Sequence, residues 1–391
     1  MTVPKLRFKE FINDWKITSL GSEIGISSAS RVLKEQWRAS GVPFFRTSDV
    51  ISIFKSEENQ KVFISYDLFE TLSNKSGRIK KGDLLITGGG SIGIPYLKKD
   101  NSPLYFKDAD LLWLKSSEKI NGEFLYNFFQ SQSFKVYLKS ISHTGTISHF
   151  TIEQAKTTPI NLPSKEEQTK IANFLTTVDK KISQLNEQHQ LMIQYKKGVM
   201  QKIFSQEIRF KDDNGEEFGE WEERTLGEVV DVFDNLRVPV TSSERIAGKT
   251  PYYGANGIQD YVEGYTHKGE FVLLAEDGAN DLINYPVSYV NGQIWVNNHA
   301  HVLSGKSGVL NNRFLTYRIA SMNISNYLVG GSRAKLNGST MKTIKLYLPT
   351  FKEQTEIANF LTSIDYKINN LFAQLQTVKE WRKGLLQQMF V

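Results

Sequence analysis

INLPSKEEQTKIANFLTTVDKKISQLNEQHQLMIQYKKGVMQKIF, from Ile160 to Phe204, returns later as LYLPTFKEQTEIANFLTSIDYKINNLFAQLQTVKEWRKGLLQQMF, from Leu346 to Phe390. The two align without a gap and agree at 21 of 45 positions, far more than unrelated segments share, so the chain carries a duplication. In each copy the apolar positions step alternately by four and three. The first reads Ile171, Leu175, Val178, Ile182 and Leu185, then runs on to Ile203; the second reads Ile357, Leu361, Ile364, Ile368 and Leu371, then runs on to Met389. That spacing predicts two long helices with a coiled-coil seam; the alternative is an amphipathic helix lying on a domain core. Ser164-Lys165-Glu166-Glu167 and Thr350-Phe351-Lys352-Glu353 predict a capping box at each start.

Connectivity sets direction. The first helix leaves one globular region for the other and the second leaves that other, so pairing along their length requires an antiparallel arrangement. About forty residues at 1.5 Å rise give a rod of about 60 Å, which also brings the C-terminus back to the N-terminal segment. A pseudo-two-fold near the helix midpoints places Lys196 near Ile364 and Asp365, and Arg382 near Val178 and Asp179. These basic residues either form cross-helix pairs or snorkel into water.

The repeat continues outward. Leu6-Arg7-Phe8-Lys9 corresponds to Ile208-Arg209-Phe210-Lys211, Trp15 with Leu20-Gly21 to Trp221 with Leu226-Gly227, and the turn Lys81-Gly82-Asp83 into Leu84-Leu85-Ile86 to Lys268-Gly269-Glu270 into Phe271-Val272-Leu273. The spacing places an insertion of about twenty residues in the first half between Gly21 and Lys81. Short strand patterns punctuated by Gly, Pro, Asn and Ser, with one helix over 122–140 and a counterpart over 310–329, predict two mixed α/β (α+β) domains. The expected organisation is 1–162 as the first domain, 163–207 as the first long helix, 208–348 as the second domain and 349–391 as the second helix. The fold class is therefore mixed α/β, two globular domains separated by an antiparallel coiled coil.

The 391 residues suit two or three domains, each with its own core. No apolar run is long enough for a membrane span and the first residues, MTVPKLRFKE, do not read as a secretory signal, so a cytoplasmic protein away from membranes is expected. The absence of cysteine excludes disulfides, thiolate catalysis and cysteine-based metal sites. A net charge of +6 permits a polyanionic partner without demanding one. Residues 208–348 carry 14 basic and 17 acidic groups, but seven of those acids crowd into Asp212–Glu223, so the acidity belongs to a linker and not to the domain.

With LPxxxEQxxIANFL opening each helix and W-x4-LG opening each domain, the chain closely resembles the specificity (S) subunit of type I restriction-modification enzymes. The match rests on Leu162-Pro163, Glu167-Gln168 and Ile171–Leu175 in one copy, and on Leu348-Pro349, Glu353-Gln354 and Ile357–Leu361 in the other. The resemblance implies two target recognition domains, each reading one half of a bipartite and asymmetric site in double-stranded DNA, with the helices as spacer. It implies partners: two methyltransferase (M) subunits and the restriction (R) subunits. It also implies that S-adenosylmethionine, ATP and Mg belong to those partners, that this chain binds no cofactor, and that adenine is the methylated base.

Polar loops rich in Arg, Lys, Asn, Ser and Thr are where base edges and phosphates would be met. In the first domain these are Arg46-Thr47-Ser48, the run from Asn74 to Arg78 with Lys75 and Arg78, and the stretch with Thr144, Ser148 and His149. In the second they are Arg237, Tyr253, Asn256 and the loop with Arg333 and Lys335. A solvated turn is the alternative for each. Gly88-Gly89-Gly90-Ser91-Ile92-Gly93 spells a dinucleotide fingerprint, but Pro95 follows where a helix is needed, and Gly248-Lys249-Thr250 and Gly305-Lys306-Ser307 lack the first glycine of a P-loop. His299-Ala300-His301 has no evident carboxylate in the sequence to complete a metal site. With neither an E-x-K tripeptide nor an adenine-methyltransferase signature, the chain reads as non-catalytic. The rival reading is a coiled-coil interaction scaffold with two ligand-binding lobes and no nucleic acid.

Overall fold

A computed structural model describes residues 3–141, 149–330 and 334–391. The chain forms two compact units, one of Met1–Asn186 with Ala373–Val391 and the other of Glu187–Phe372. Each unit therefore owns one half of each long helix, Lys165–Phe204 and Phe351–Met389.

In the first unit Ile171, Leu175 and Val178, with half-buried Ile182, share a cluster with Leu385, Leu386, Met389 and Phe390. In the second, Ile357, Leu361 and Ile364, with half-buried Ile368, share one with Ile203, Met192, Val199 and Phe204. Leu185 is buried and Leu371 half-buried. The helix halves run antiparallel within each unit. Asn161 reaches the Val391 carbonyl (3.1 Å) while Asp179 pairs with Arg382; His189 lies 5.7 Å from the Phe372 ring while Lys196 meets Asp365 at 2.5 Å. Both cross-helix pairs expected from the sequence are thus formed, and neither Lys196 nor Arg382 snorkels away.

The seam is wider than heptad spacing suggests. Ile171 and Leu175 share their cluster with Trp15, Leu20, Phe124 and Ile160 of the domain body, and Ile357 and Leu361 with Trp221, Leu226, Phe314 and Leu346. Fully buried Ala172 and Ala358 broaden the apolar stripe from a narrow coiled-coil seam to a face that serves partner helix and domain core at once.

The duplicated motif also corrects the capping box. Ser164 and Thr350 do accept the backbone N–H of Glu167 and Glu353, at 3.3 and 3.4 Å. The glutamates, however, turn away from their own helix. Glu167 takes a bidentate pair from Arg7 (2.7 and 2.8 Å) and a bond from the Trp15 indole (3.2 Å); Glu353 takes the same fork from Arg209, both at 3.0 Å. Two charge-assisted bonds outweigh one neutral backbone donor. Gln168 donates to the Pro163 and Lys119 carbonyls and accepts from Asn121 N; Gln354 does likewise with Pro349, Val309 and Asn311. The repeated Arg, Glu and Gln are one lock built twice. Even the N-terminal tether recurs: Leu6 N donates to Gln388 O at 2.9 Å and Ile208 N to Lys202 O at 3.1 Å, although the first joins the two ends of the chain and the second is local.

Each lock closes on a two-stranded antiparallel ribbon, Lys16–Ser19 with Pro159–Leu162 and Glu222–Thr225 with Lys345–Leu348. Beyond it the units diverge. The first has a four-stranded antiparallel sheet in the order Ile26–Ser27, Leu111–Leu114, Leu84–Thr87, Pro95–Leu97. The second has a six-stranded sheet in the order Val230–Val232, Ala300–Gly305, His267–Ala275, Val287–Val296, Ala247–Gly254, Gly257–Val262. Between Gly21 and Lys81 the first unit has helices Thr47–Lys55 and Tyr66–Ser76 and strands Val42–Phe45 and Phe63–Ile64, which Tyr105–Phe106 completes as a three-stranded sheet packed on the four-stranded one through Val50, Phe106, Leu85 and Trp113; the second unit has instead the hairpin of Ala247–Gly254 and Gly257–Val262.

The single helix expected over 122–140 is two, Gly122–Phe128 and Gln132–Ser140, because Ser131 breaks the run by capping Phe134 N (3.3 Å). Its counterpart over 310–329 is helix Asn312–Ala320 followed by a short turn at Ser325–Tyr327. Among the described residues no helix is long and apolar enough to cross a membrane.

Candidate nucleic-acid interface

The repeated Lys-Gly-acid turn feeds a buried central strand in both units, Leu84–Thr87 and His267–Ala275. What leaves the far end of that strand organises most of the described candidate residues.

In the first unit the strand runs into the glycine segment, which is a hairpin connection: Leu84, Leu85 and Ile86 pair with Leu97, Tyr96 and Pro95. Thr87 closes it, its hydroxyl donating to Ser91 O (2.6 Å) and accepting from Ile94 N (2.9 Å). Two segments from elsewhere meet this turn. His149 bridges to Gly89, and Phe150 N donates to Gly88 O at 2.7 Å. Thr47 approaches from the other side, its methyl 3.9 Å from where a Cβ on Gly90 would stand, and its buried hydroxyl has no partner among the described residues. Arg46 and Ser48 flank Thr47 at the helix start. Arg46 is engaged by Asp49 (2.8 and 3.1 Å), whose carboxylate holds the guanidinium above its usual pKa, and by the Gln60 carbonyl (2.6 Å), and Ser48 accepts from Asn59. Lys75 and Arg78 are not part of this group: both are exposed at the end of helix Tyr66–Ser76, where Arg78 pairs with Glu70. Thr144 and Ser148 lie outside the described residues.

In the second unit the strand runs into Glu276-Asp277-Gly278-Ala279-Asn280, and three candidates converge there. Arg237 Nη1 donates to Glu276 Oε2 at 2.7 Å and to the Ala300 carbonyl at 2.9 Å, and its Nε to the Asp234 carbonyl at 3.0 Å. Lys335 Nζ meets Glu276 Oε1 at 3.1 Å, and its backbone bridges to Asp277 and Val329. Asn256 donates to Gly278 O and accepts from Asn280 N, both at 2.9 Å. Tyr253 instead packs half-buried against the Phe271 and Val296 cluster, and burial raises its hydroxyl pKa. Arg333 lies outside the described residues.

This segment was not singled out from the sequence, where Glu276-Asp277-Gly278 reads as an ordinary turn. It also revises the histidine pair, because carboxylates do accompany it. His301 Nδ1 meets Asp234 Oδ2 at 2.6 Å, its Nε2 meets the Leu336 carbonyl at 2.8 Å, and His299 pairs with Asp277. Ligating atoms of Asp234, Glu276 and His301 lie within 4.8 Å of one another. The cation seated among them is the Arg237 guanidinium, and both ring nitrogens of His301 face acceptors. Burial pushes the Glu276 carboxyl up, but hydrogen bonds from Arg237 and Lys335 outweigh it and hold the group below its ordinary value. Asp234 is likewise raised by burial and lowered further by His301 and Val302 N, with the same net direction.

Two stretches, 12–194 and 219–380, match the model of the type I restriction modification DNA specificity domain. The chain belongs to that family. Among curated relatives, the EcoprrI specificity subunit of Escherichia coli is 22% identical over 88% of this chain and 84% of its own. The MjaVIII specificity subunit of Methanocaldococcus jannaschii is 25% identical over 81% and 80%. A putative specificity subunit of Haemophilus influenzae, S.HindORF215P, is 49% identical, but the match spans only 37% of either chain. The S subunit of M. genitalium shares the fold with a TM-score of 0.65 at 19% identity, covering 100% of this chain and 99% of that one. Specificity subunits are the non-catalytic members of type I systems.

Proposed function

We propose that this specificity chain is the DNA-reading subunit of a type I restriction-modification enzyme. Residues 1–162 and 208–348 act as target recognition domains for the two halves of an asymmetric, bipartite site, and 163–207 with 349–391 act as spacer and docking platform. Two methyltransferase subunits, which supply S-adenosylmethionine chemistry and flip the target adenine, and restriction subunits using ATP and Mg complete a cytoplasmic assembly. The observation that carries this reading is one repeated lock, Arg7–Glu167 and Arg209–Glu353, in two units whose inserts are unlike. A duplicated frame with unlike inserts suits a reader of two unlike half-sites. The described candidates Arg46, Thr47, Ser48, Lys75, Arg78, His149, Arg237, Tyr253, Asn256 and Lys335 belong to those inserts, with Arg46 and Arg237 engaged by protein acceptors and suited to shaping the surface.

The test is a genome-wide map of methylated adenine in cells with and without the chain. A two-part motif that disappears with the chain is the expected result, and an unchanged map overturns the proposal. Replacing 208–348 with the segment of a relative should change one half of the motif and leave the other.

A further inference from the structure

The charged assembly at the end of the second unit's central strand has a geometry that DNA binding alone does not require. Glu276 is the first residue past the His267–Ala275 strand, and four of its groups are engaged. Its N–H donates to His299 O (2.8 Å), its carbonyl accepts Leu336 N (2.7 Å), and its carboxylate takes Arg237 on one oxygen and Lys335 on the other. His301 reinforces the same place from the neighbouring strand. One ring nitrogen holds Leu336 O, while the other is held by Asp234, whose second oxygen accepts Val302 N at 2.8 Å. Lys335 and Leu336 are therefore fastened by their backbone to Glu276, Asp277, Val329 and His301, and by a side chain to Glu276.

The two cations on Glu276 differ in what they offer. Arg237 is largely buried and its guanidinium is occupied by protein acceptors, so it serves the carboxylate. The Lys335 side chain is 41% exposed and its ammonium makes a single ion pair, so donors remain for an incoming polyanion. A metal ion is the poorer occupant of the cluster, because the Arg237 charge already stands beside Glu276 and Asp234.

Resting on the DNA-reading function above, we propose that Glu276 is a positioning residue that sets specificity for one half-site. Buttressed by Arg237 and by the Asp234–His301 pair, it fixes Lys335 and Leu336 in one register against the sheet. Base readout depends on hydrogen-bond geometry held within about 0.5 Å, whereas attraction to phosphate tolerates displacement. Loosening this clamp should therefore lower discrimination more than affinity.

The test uses the full-length chain expressed with its own methyltransferase subunits, read by adenine-methylation mapping. The half-site belonging to 208–348 is first assigned by exchanging that segment. Glu276→Gln keeps the side-chain shape and removes the charge. Sites with one wrong base in that half should gain methylation on the order of tenfold relative to correct sites, while mismatches in the other half stay unmethylated. Lys335→Met changes the exposed partner, leaves the buried cluster in place, and should relax the same half. Equal relaxation of both halves, or unchanged discrimination in the Lys335→Met chain, overturns the proposal, even should the Glu276→Gln chain fail to accumulate. A map that vanishes on deletion of the whole chain but ignores both substitutions rejects the clamp alone; a map indifferent to deletion rejects the DNA-reading function with it.

Discussion

The segment past the central strand is held by glycine backbone in the first unit and by charge in the second. Gly88 and Gly89 accept and bridge the Phe150 and His149 backbone directly, while in the second unit Glu276 and Asp277 make the corresponding backbone contacts to Leu336 and Lys335 and add ion pairs. Both units nevertheless keep the same Arg-Glu-Gln lock. The lock is a frame problem with one good answer, a largely buried bidentate pair; the segment past the central strand differs while its backbone partners are kept.

The largest test of that contrast removes the frame. Glu167→Ala or Glu353→Ala strands a largely buried arginine and should cost about 3 kcal/mol each. Thermal unfolding should show the loss in both variants alike; a loss in only one would mean that the two locks are not equivalent. A step down in size, the segments themselves should respond unequally to added bulk. Gly93 has φ of 78°, and a Cβ there would stand 2.6 Å from Leu138 Cδ1, so Gly93→Val should cost about 2 to 3 kcal/mol through strain and overpacking. Gly278 has φ of 70° but open space around it, so Gly278→Ala should cost only about 1 kcal/mol, from backbone strain. Equal costs in denaturant titration would erase the distinction between a packed turn and an open one.

Acid sharpens the comparison further. Glu276 and Asp234 are held below their ordinary values, so the folded state binds fewer protons than the unfolded chain. Their contribution is complete above the ordinary carboxylate range, about 4, and is lost as pH falls through the lowered folded values. Hydrogen exchange at Leu336 N should accelerate relative to Phe150 N on acidification, and Glu276→Gln should flatten the response; parallel pH profiles would refute a charge-held segment. The smallest effect belongs to the cross-helix pairs. A double-mutant cycle should give coupling of about 1 kcal/mol for Arg382 with Asp179, which is bidentate, and about half that for Lys196 with Asp365. The reverse order would contradict the geometry.

Much of this was legible in the chain itself. Duplication, helix length and the antiparallel register follow from spacing and connectivity, and the register was specific enough to pair Lys196 with Asp365. The glutamates of the repeated motif were legible as important but misread in role, because a capping box and a long-range Arg pair share the same Ser/Thr-x-x-Glu pattern. The Ser131 break inside 122–140 was missed because local helix propensity there is nearly continuous.

The candidate site divides in the same way. Arg46, Thr47, Arg237, Asn256 and Lys335 could be named from residue type and turn composition, since such signals are local. That Arg237 and Lys335 share one carboxylate, separated from them by 39 and 59 residues, could not be named. The amino-acid sequence alone determined that one frame is built twice, because periodicity and repetition are properties of neighbouring positions. Only the tertiary structure decided which turns meet, because Glu276 acquires its partners when three strands of the sheet bring distant segments within hydrogen-bonding distance.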